Sequence, residues 1–446
     1  MSYAQYRTLG ELWLNSIPEH WDSHKIKYVF SERSEKGYPD EPLLVASQNM
    51  GVVPKKVYGN RTVEATKDLH NLKLVRIGDF VISLRSFQGG LEYAYYQGII
   101  SPAYIVMKPS EYIATGYFKY LAKSRLFIEL LQMCVTGIRE GQNIDYGKLK
   151  NHHIPLPPLT EQNQIVRFLD WKVSQINRLI NAKKKQIGLL QEQKRAVVNE
   201  AVTKGLKFNA PRKNSGVDWL GDLPDHWEVC PSKYLFDERN ERSESGEETH
   251  LSMSQKYGLI PDTQLNERRM LSESYVGGKL CYENDLVLNR LKAHLGVFSL
   301  APQMGVVSPD YTILKVNTKK IIPDFAQHIL HCESCRPELR IRVKGVVEGF
   351  WRLYTEDFNT IKLPLPSIEE QKEILAYIYA YSEKSNLLIS SLETEIALLH
   401  EYRTRLISDV VTGNKDVRSV EVPDFEVEVE ENEAFSDEYE ESEVDE

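Results

Sequence analysis

The chain has 446 residues and a formal charge of −9, from 55 basic and 64 acidic side chains. This length allows two or more domains with their own cores and excludes a small stapled scaffold. No apolar run approaches the roughly 20 residues of a membrane helix, and the start, MSYAQYRTLGELW, does not show a basic segment followed by an apolar one. Five cysteines, an odd number, fit a reducing compartment, so we expect a cytoplasmic protein.

The negative charge is concentrated at the C-terminal end of the chain. The segment from Glu421 to Glu446 contains 14 acidic residues and no Lys or Arg, which leaves 50 acids against 55 bases in residues 1–420. The body of the chain is therefore mildly basic. We expect residues 419–446 to form a disordered acidic tail, because large apolar side chains are few and the charges repel one another. Two roles of this tail stay open: it keeps the protein soluble, or it regulates the protein by mimicking the charge of DNA.

The sequence is written twice. The stretch IPEHW, Ile17–Trp21, returns as LPDHW, Leu223–Trp227, after 206 residues. Three further pairs follow at shifts of 207 to 209: Ser47-Gln48 with Ser254-Gln255, Ile99–Tyr104 with Val306–Tyr311, and Pro155–Gln162 with Pro364–Gln371. So small a drift over so many positions indicates a tandem duplication. Two copies of this length predict a pair of domains and not a solenoid.

The first part of each copy predicts a mixed α+β globule. Short apolar runs such as Gly78–Ser83 and Tyr104–Met107 are typical of strands, and Gly, Pro and Asn turns separate them. A helix is predicted within Gly116–Val135. The repeated IPEHW stretch predicts a packed Trp and a capping His where the chain enters each globule.

The second part of each copy predicts a long helix. Apolar residues recur every three or four positions, as in a coiled coil. In copy one they are Val173, Ile176, Ile180, Ile187, Leu190 and Val197, with Lys183 and Lys194 as interruptions; in copy two they are Ile378, Tyr381, Leu388, Leu392, Leu399 and Leu406, with Ser385 and Glu395. We expect Thr160 to cap the first helix and Ser367, with Glu370, to cap the second.

These interrupted seams predict two helices packed antiparallel on one another. A helix from Ile165 to Ala201 is about 55 Å long, comparable to roughly 16 base pairs of DNA. The pair therefore either sets a distance between the globules or only ties them together. The predicted fold class is α+β: two tandem-repeated globular domains, separated and tied by two long antiparallel coiled-coil-like helices, with pseudo-two-fold symmetry. The boundaries are 1–159, 160–206 (central helix), 207–366, 367–418 (distal helix) and 419–446.

Signatures of catalysis are missing from the sequence. Gly147-Lys148 and Gly278-Lys279 are not in a phosphate-binding loop, and neither G-x-G-x-x-G nor H-E-x-x-H occurs. Ser308–Tyr311 faintly resembles a methyltransferase motif, but copy one repeats it as Ser101–Tyr104, which favours a structural turn. One cluster has the residue types of a zinc site: His328, His331, Cys332 and Cys335. The same residues also fit an ordinary half-buried helix. We favour the helix, because zinc needs a second pair of ligands and the sequence does not supply one. We expect no catalytic and no metal-binding residue.

The loops of both copies concentrate side chains that pair with base edges and phosphates. Arg reads guanine, Gln and Asn read adenine, and Lys binds phosphate. The candidates in copy one are Gln48, Asn49, Arg85, Ser86, Gln88, Arg139, Gln142 and Asn143; those in copy two are Gln255, Lys256, Arg268, Arg269, Asn289, Arg290, Lys292, His294, Lys344 and Arg352. Side chains that differ inside matched loops are the better candidates for specificity.

Taken together, the repeat and its flanks resemble the specificity subunits of type I restriction-modification systems. The motifs that carry the resemblance are Leu14–Trp21, Trp219–Trp227, Ile154–Gln162, Phe168–Asp170, Val202–Leu206, Leu406–Gly413 and Asp416–Arg418. The resemblance covers nearly all of residues 9–418 and leaves the acidic tail outside. Gly413–Lys415 reads Gly-Asn-Lys where the family commonly has Gly-Lys-Ile.

The resemblance implies a non-catalytic subunit whose two globules, 1–159 and 207–366, are target-recognition domains, each reading one half of a bipartite site on double-stranded DNA. Its helices would set the gap of unread bases and dock two methyltransferase subunits, which restriction subunits join. No cofactor would be bound by this chain, and S-adenosylmethionine, ATP and Mg would act in the partner subunits. Two other classes stay open: a fused nuclease or methyltransferase with an unrecognised site, and a scaffold that links two proteins without reading DNA.

Overall fold

A computed structural model describes residues 2–58, 68–83, 86–136, 143–207, 209–254, 257–264, 275–345 and 351–430. The chain divides into two compact units. Unit 1 combines Met1–Lys184 with Glu393–Glu446, and unit 2 is Lys185–Leu392. These units differ from the sequence-based boundaries, which keep each long helix whole. Each unit instead holds one globule together with half of each long helix.

Unit 1 contains fourteen short strands among its described residues, and seven helices begin in it. The strands are β1 Tyr6–Thr8, β2 Ser16–Pro18, β3 Asp22–Lys25, β4 Phe30–Arg33, β5 Leu44–Ser47, β6 Gly51–Pro54, β7 Lys73–Val75, β8 Phe80–Ile82, β9 Glu92–Tyr93, β10 Gly98–Ile100, β11 Ile105–Pro109, β12 Val135–Thr136, β13 Asn143–Ile144 and β14 His153–Leu156. The helices are α1 Ile26–Val29, α2 Lys55–Tyr58, α3 Ser86–Gly89, α4 Thr115–Lys123, α5 Arg125–Met133, α6 Tyr146–Leu149 and α7 Leu159–Lys204, which continues into unit 2.

Unit 2 repeats much of this order in its described residues. Its strands are β15 Arg212–Asn214, β16 Asp222–Pro224, β17 Glu228–Pro231, β18 Phe236–Arg239, β19 Leu251–Ser254, β20 Gly258–Pro261, β21 Lys279–Cys281, β22 Leu286–Asn289, β23 Phe298–Leu300, β24 Gly305–Val307, β25 Tyr311–Val316 and β26 Lys362–Leu365. Its helices are α8 Pro323–His331, α9 Arg336–Arg340, α10 Thr355–Phe358 and α11 Ile368–Val411, which continues into unit 1.

Both units are built on the same four-stranded antiparallel sheet, with order β4-β11-β8-β9 in unit 1 and β18-β25-β22-β23 in unit 2. An ion pair, buried in unit 1 and half-buried in unit 2, braces each sheet at the same place. Arg33 Nε lies 2.7 Å from Asp79 Oδ2, and Arg239 Nε lies 2.9 Å from Asp285 Oδ2. The duplication read from the sequence therefore extends to topology and to ion pairing, and the α+β prediction is confirmed.

The core of each unit follows from the burial pattern of its central strands. All three residues of β8 are buried, and amphipathic helices α4 and α5 cover one face of the sheet in unit 1. Phe118 meets Phe30 and Phe80 there, at ring-centroid distances of 4.4 and 4.8 Å. In unit 2, Phe325 on α8 lies in the corresponding core. Aromatic side chains contribute most of the buried area in such cores.

The two long helices are present, with ends that differ from the predicted ones. Helix α7 has 46 residues and α11 has 44. Thr160 does not cap α7, because the helix already begins at Leu159 and the carbonyl of Pro158 accepts the first bonds. Ser367 does cap α11, where its hydroxyl accepts the amide of Glu370 at 3.2 Å. The distal helix ends at Val411 and not at 418, because Gly413 turns the chain with φ +82°. None of the described helices is both long and apolar enough to cross a membrane.

Three of the four polar interruptions of the two seams are paired with polar groups of the other helix, whereas Ser385 donates to the carbonyl of Tyr381 in its own helix. In unit 1 the Lys183 ammonium forms an ion pair with Glu395. In unit 2, Lys194 Nζ donates to Asn386 Oδ1 at 3.0 Å. In unit 1 a second pair, Asn177 with Arg403, shows that residue numbers rise along α7 as they fall along α11, so the helices run antiparallel there, as predicted. The pairs also fix the register between the helices. Matched polar residues in a seam of this kind specify register at some cost in stability.

The first part of the acidic segment differs from the prediction. Residues 419–430 lack regular secondary structure but follow helix α7 in unit 1, held by side chains such as Ser174 and Asn181. Composition alone predicts disorder for this segment because it ignores the hydrogen-bonding groups that another part of the chain supplies. Residues 431–446 lie outside the described part of the chain.

Candidate nucleic-acid interface

The repeated His-Trp pair attaches each globule to the start of a long helix. In unit 1, Glu161 in the first turn of α7 accepts from Tyr3 at 2.6 Å, from Trp21 Nε1 at 3.0 Å, and pairs with His20 Nε2 at 2.8 Å. In unit 2, His226 Nε2 lies 2.9 Å from Glu370 in the first turn of α11. The packed Trp is confirmed by the exposure of Trp21, which is 1%. The His binds a carboxylate of the helix and not its backbone.

The residue that follows the end of a long helix packs against the Trp of each His-Trp pair. A Cβ added to Gly413, which follows α11, would come within 2.3 Å of Pro18 and 3.2 Å of Trp21. In unit 2 a Cβ on Gly205, which follows α7, would lie 3.1 Å from Trp227. Both glycines have positive φ, so a side chain there would also be strained. Each Trp therefore contacts the end of the long helix that the other copy begins.

Three adjacent segments of unit 1 carry exposed amide side chains. Gln48 and Asn49 lie in the turn between β5 and β6, Gln88 lies on α3, and Asn143 begins β13. The turn packs directly on α3, because a Cβ on Gly89 would come within 2.8 Å of the Gln48 side chain. Helix α3 also lies beside β13. The structure thus brings four of the sequence candidates to neighbouring positions.

The side chain of Lys123 holds the turn between β5 and β6 by a hydrogen bond to its main chain. Lys123 Nζ donates to the carbonyl of Gln48 at 3.2 Å and to Glu92 at 2.8 Å. Burial of Glu92 raises the pKa of its carboxyl, and the charge of Lys123 offsets that rise only in part. Such a turn is held in one conformation, which is what direct readout of a base edge requires.

Ser86 has a different position from the other candidates. It is fully buried, and its hydroxyl accepts the amide of Ser83 at 2.8 Å. The residue closes the turn that begins α3. We therefore leave Ser86 out of the proposed interface.

Unit 2 gathers cationic candidates around one cleft. Its volume is about 700 Å³, and its walls come from the turn at His294-Leu295, from Arg340, from residues 343–345 and from Trp351. The His294 and Trp351 rings meet edge to face, with centroids 5.8 Å apart. Lys344 and Arg352 exchange both backbone hydrogen bonds, at 3.0 and 2.9 Å. Lys344 Nζ also donates to Asp357 Oδ1 at 2.6 Å.

Arg290 lies beside Leu353 and near the ammonium of Lys279, which pairs with Glu238 at 3.8 Å. Its carbonyl accepts the amide of Leu353 at 3.0 Å, and its Nε is buried without a hydrogen-bond partner among the described residues. Burial lowers the pKa of the Lys279 ammonium, and the charge of Arg290 lowers it further. An anion at this position would satisfy the guanidinium and relieve the repulsion between two cations.

The remaining candidates divide into two groups. The side chain of Asn289 accepts the amides of Leu291 and Lys292 at 3.1 and 3.3 Å, so Asn289 shapes the turn that carries Lys292. Seven candidates lie outside the described residues: Arg85, Arg139, Gln142, Gln255, Lys256, Arg268 and Arg269.

Sequence reasoning missed Arg340 and Trp351. The repeat contained a signal for the tryptophan, because Trp351 aligns with Asn143 at the shift of 208 that also relates Tyr146 to Tyr354. Helix α3 of unit 1 aligns with the turn at Ala293–Leu295 of unit 2 when the sequence is shifted by 207 residues. At these equivalent positions unit 1 has Asn143 and Gln88, and unit 2 has Trp351 and Leu295.

The His and Cys cluster has the surroundings of an ordinary helix. Cys332 and Cys335 are buried, and burial raises the pKa of the Cys332 thiol to about 11. His331 Nε2 lies 3.0 Å from the carbonyl oxygen of Phe298, and burial lowers its pKa to about 4. His328 packs against Tyr379. Within the described ranges, no group of three or more His, Cys, Asp and Glu side chains could hold a metal ion.

Comparison with known proteins shows that one family model matches both copies of the repeat. The family model described as type I restriction modification DNA specificity domain matches residues 14–189 and 228–398. A Methanocaldococcus jannaschii protein named as a type I restriction enzyme MjaX specificity subunit is 24% identical, over 91% of this chain and 96% of its own length. The MjaVIII specificity subunit of the same organism is 23% identical, over 94% and 99%.

A solved structure from work on complex assembly and conformational transition of the type I restriction-modification system has the same fold. It superimposes with a TM-score of 0.66 at 15% identity and covers 90% of this chain and 99% of its own. The family model accounts for both globules and for parts of both long helices. The chain belongs to the family of type I restriction-modification specificity subunits, which carry the DNA target-recognition domains of those systems.

Proposed function

We propose that unit 1 and unit 2 each recognise one half of a bipartite site on double-stranded DNA. The observation that carries this proposal is the contrast between equivalent positions of the two copies. Exposed Asn143 of unit 1 has Trp351 as its equivalent in unit 2, exposed Gln88 has Leu295, and Ser83 has Arg290, whereas Gln48 and Gln255 are the same residue type. One frame with two different sets of side chains suits two different half-sites.

The chemistry of the two surfaces favours different contacts. Gln and Asn form paired hydrogen bonds with adenine, so unit 1 suits a half-site containing A·T pairs in the major groove. In unit 2, Arg290 and Arg352 suit guanine or phosphate, and Lys344 suits phosphate. Phosphate contacts position the protein, whereas contacts with base edges select the sequence.

The partners follow from membership in the family. Assembly with methyltransferase subunits, restriction subunits and DNA is implied for a specificity subunit. We further propose that two methyltransferase subunits dock on α7 and α11 by helix-to-helix contact. This chain would bind no cofactor, and S-adenosylmethionine, ATP and Mg would act in the partner subunits. The complex would work in the cytoplasm.

Mapping methylated adenines across the genome tests this function. Cells that hold the chain together with its methyltransferase partner should carry the mark in two short sequence words separated by a fixed number of unread bases. Cells with the methyltransferase alone are the control and should lack the pattern. A single contiguous word, or marks independent of the chain, would contradict the proposal and favour a scaffold that does not read DNA.

A further inference from the structure

A stripe of polar side chains runs along α7 in unit 1 beneath the C-terminal segment. Its members are Gln164, Arg167, Ser174, Asn177, Asn181 and Lys184. They recur every three or four residues, apart from the place between Arg167 and Ser174 where Trp171 stands, so they share one helix face. Ser174, Asn177 and Asn181 are 4, 6 and 8% exposed. Polar side chains this buried need partners, and here the partners belong to the C-terminal segment.

The stripe binds the main chain of that segment from end to end. Gln164 Nε2 donates to the carbonyl of Val420 at 2.7 Å, and Arg167 donates to that of Val422 at 3.0 Å. Ser174 both donates to the carbonyl of Glu426 and accepts the amide of Glu428, each at 2.7 Å.

The same pattern continues to the last described residues. The amide groups of Asn177 and Asn181 donate to the carbonyls of Glu428 and Val429, both at 2.9 Å. Ten residues of extended chain cover about 33 Å, and the 20 residues from Gln164 to Lys184 cover about 30 Å of helix. The two lengths are nearly equal, so consecutive turns of the helix contact consecutive parts of an extended peptide.

The final contact recognises a carboxylate. Glu430 accepts from Lys184 Nζ at 3.1 Å and from Arg403 on α11 at 2.7 Å. Arg403 also donates to Asn177 Oδ1 at 2.6 Å and is in turn close to His400. Burial acts to raise the pKa of Glu430, but the hydrogen bonds from Arg403 and Lys184 outweigh it and hold the pKa below its usual range. Charge-assisted hydrogen bonds of this kind are the stronger ones.

The orientation of the segment shows which chemistry selects it. Glu428 and Glu430 face the helices, whereas Val427 and Val429 are each 74% exposed. A segment that merely collapsed onto an apolar surface would bury its valines. Val420 and Val422 pack against the core, but from Glu426 to Glu430 polar recognition of the main chain and of the glutamates decides the register.

The stripe is not part of the duplicated frame. At the shift of 209 that relates the two helix starts, the equivalents of Asn181 and Lys184 are Ser390 and Glu393, and the equivalent of Gln164 is Glu373. Acidic residues at the ends of the second stripe would repel an acidic peptide. Copy one thus has a feature that the shared architecture does not require.

We propose that this face of α7 and α11 is a binding site for an extended acidic peptide, and that Val420–Glu430 is its tethered ligand. The site reads a main chain over about ten residues and a glutamate at the final position. A partner polypeptide that uses this face of the helices must displace the tethered segment first, or must carry the same features.

A cleavage experiment on the full chain tests the site. A recognition sequence for a specific protease is inserted between Ser419 and Val420, the chain is cut, and gel filtration with mass spectrometry measures how much fragment stays bound. The fragment should remain at low salt and leave at 1 M NaCl, where charges are screened within about 3 Å. The double variant Lys184→Ala with Arg403→Ala should release it about tenfold faster at low salt.

Matched variants separate binding from folding. Lys185→Ala with Arg405→Ala removes the same charges from exposed neighbouring positions and should behave as the unmodified chain. Glu430→Gln changes the ligand alone and should also release the fragment about tenfold faster. A synthetic Val420–Glu430 peptide should replace the cut fragment, and the same peptide with the Glu430→Gln substitution should compete about tenfold more weakly. Equal loss of the fragment from the unmodified chain and from the Lys184 and Arg403 variant at low salt would overturn the proposal, as would equal competition by the two peptides.

Discussion

His20 Nε2 lies 2.8 Å from Glu161 Oε2, which joins the entrance of the first globule to the first turn of α7. The same carboxylate accepts from Tyr3 and from Trp21, so three donors from the globule converge on one helix residue. In unit 2 the corresponding His226 and Glu370 are 2.9 Å apart, and Trp227 Nε1 has no hydrogen-bond partner among the described residues. The repeated phrase in the sequence is therefore an attachment of globule to helix, and it is more fully bonded in unit 1.

Replacing Glu161 by Ala should destabilise unit 1 by about 2 to 4 kcal/mol, because three buried or half-buried donors lose their acceptor. Glu370→Ala is the matched control and should cost less, since Glu370 is more exposed than Glu161, at 18 against 5%. Urea unfolding followed by circular dichroism measures both. Equal destabilisation by the two substitutions would contradict the ranking.

The attachment shows how far sequence reasoning reaches. The repetition of IPEHW and of the Glu-Gln pair was visible in the sequence, and a packed Trp was predicted. The partner of the His was not, because Glu161 lies 141 residues away and no local pattern joins the two positions. The same limit applies to Lys183 and Glu395, which the sequence shows as interruptions but does not pair.

Acidification should weaken unit 2 through His331. Burial lowers the pKa of this imidazole from its ordinary value of 6.5 to about 4, so the unfolded chain binds a proton that the folded chain does not between those two values. The contribution of His331 to the free energy of unfolding is therefore fully present above pH 6.5 and is lost as the pH drops toward 4. At pH 5 the loss is about 2 kcal/mol. His331→Gln cannot bind the proton, so its unfolding free energy should change less between pH 7 and 5. Parallel pH profiles for the two chains would exclude this role of His331.

Arg290→Ala should reduce the affinity of the full chain for its cognate DNA by about 1 to 3 kcal/mol at fixed salt. The reason is the buried Nε beside Lys279, which a phosphate or a guanine would satisfy. Arg212→Ala removes an equal charge from exposed β15 and serves as control. Fluorescence anisotropy with labelled duplexes measures both. An equal loss from both substitutions would indicate a general charge effect.

The candidate site was only partly predictable. Residue type singled out amide side chains that the fold brings to adjacent segments, namely Gln48, Gln88 and Asn143. Residue type could not show that the Ser86 hydroxyl is consumed by a turn, nor that Trp351 lines a cleft with cationic neighbours. Burial and neighbourhood are set by the fold, and loop composition does not contain them.

The acidic segment shows a different limit. Its composition predicts disorder when it is considered alone, yet Asn177 and Asn181 supply the hydrogen bonds that its backbone needs. The stripe on α7 was readable at helical spacing, but nothing in the sequence stated which segment it holds.

Shortening both long helices should shorten the unread gap of the DNA site. By the register of the Lys194–Asn386 hydrogen bond, residues 188–194 face residues 386–392. Removing both sets takes about two helical turns, or 10 Å, from each helix and keeps the seam, which corresponds to about three base pairs. Methylated-adenine mapping measures the gap. An unchanged gap with unchanged words would show that the helices only tie the globules together.

The central claim is that each unit reads its own half-site, and a segment exchange tests it most directly. Gly51–Asn151 is replaced by the equivalent segment of another family member, and methylated adenines are mapped in cells that hold the exchanged chain and the methyltransferase. One word of the bipartite site should change to that of the donor, while the other word stays the same. A change in both words, or in neither, would contradict the account.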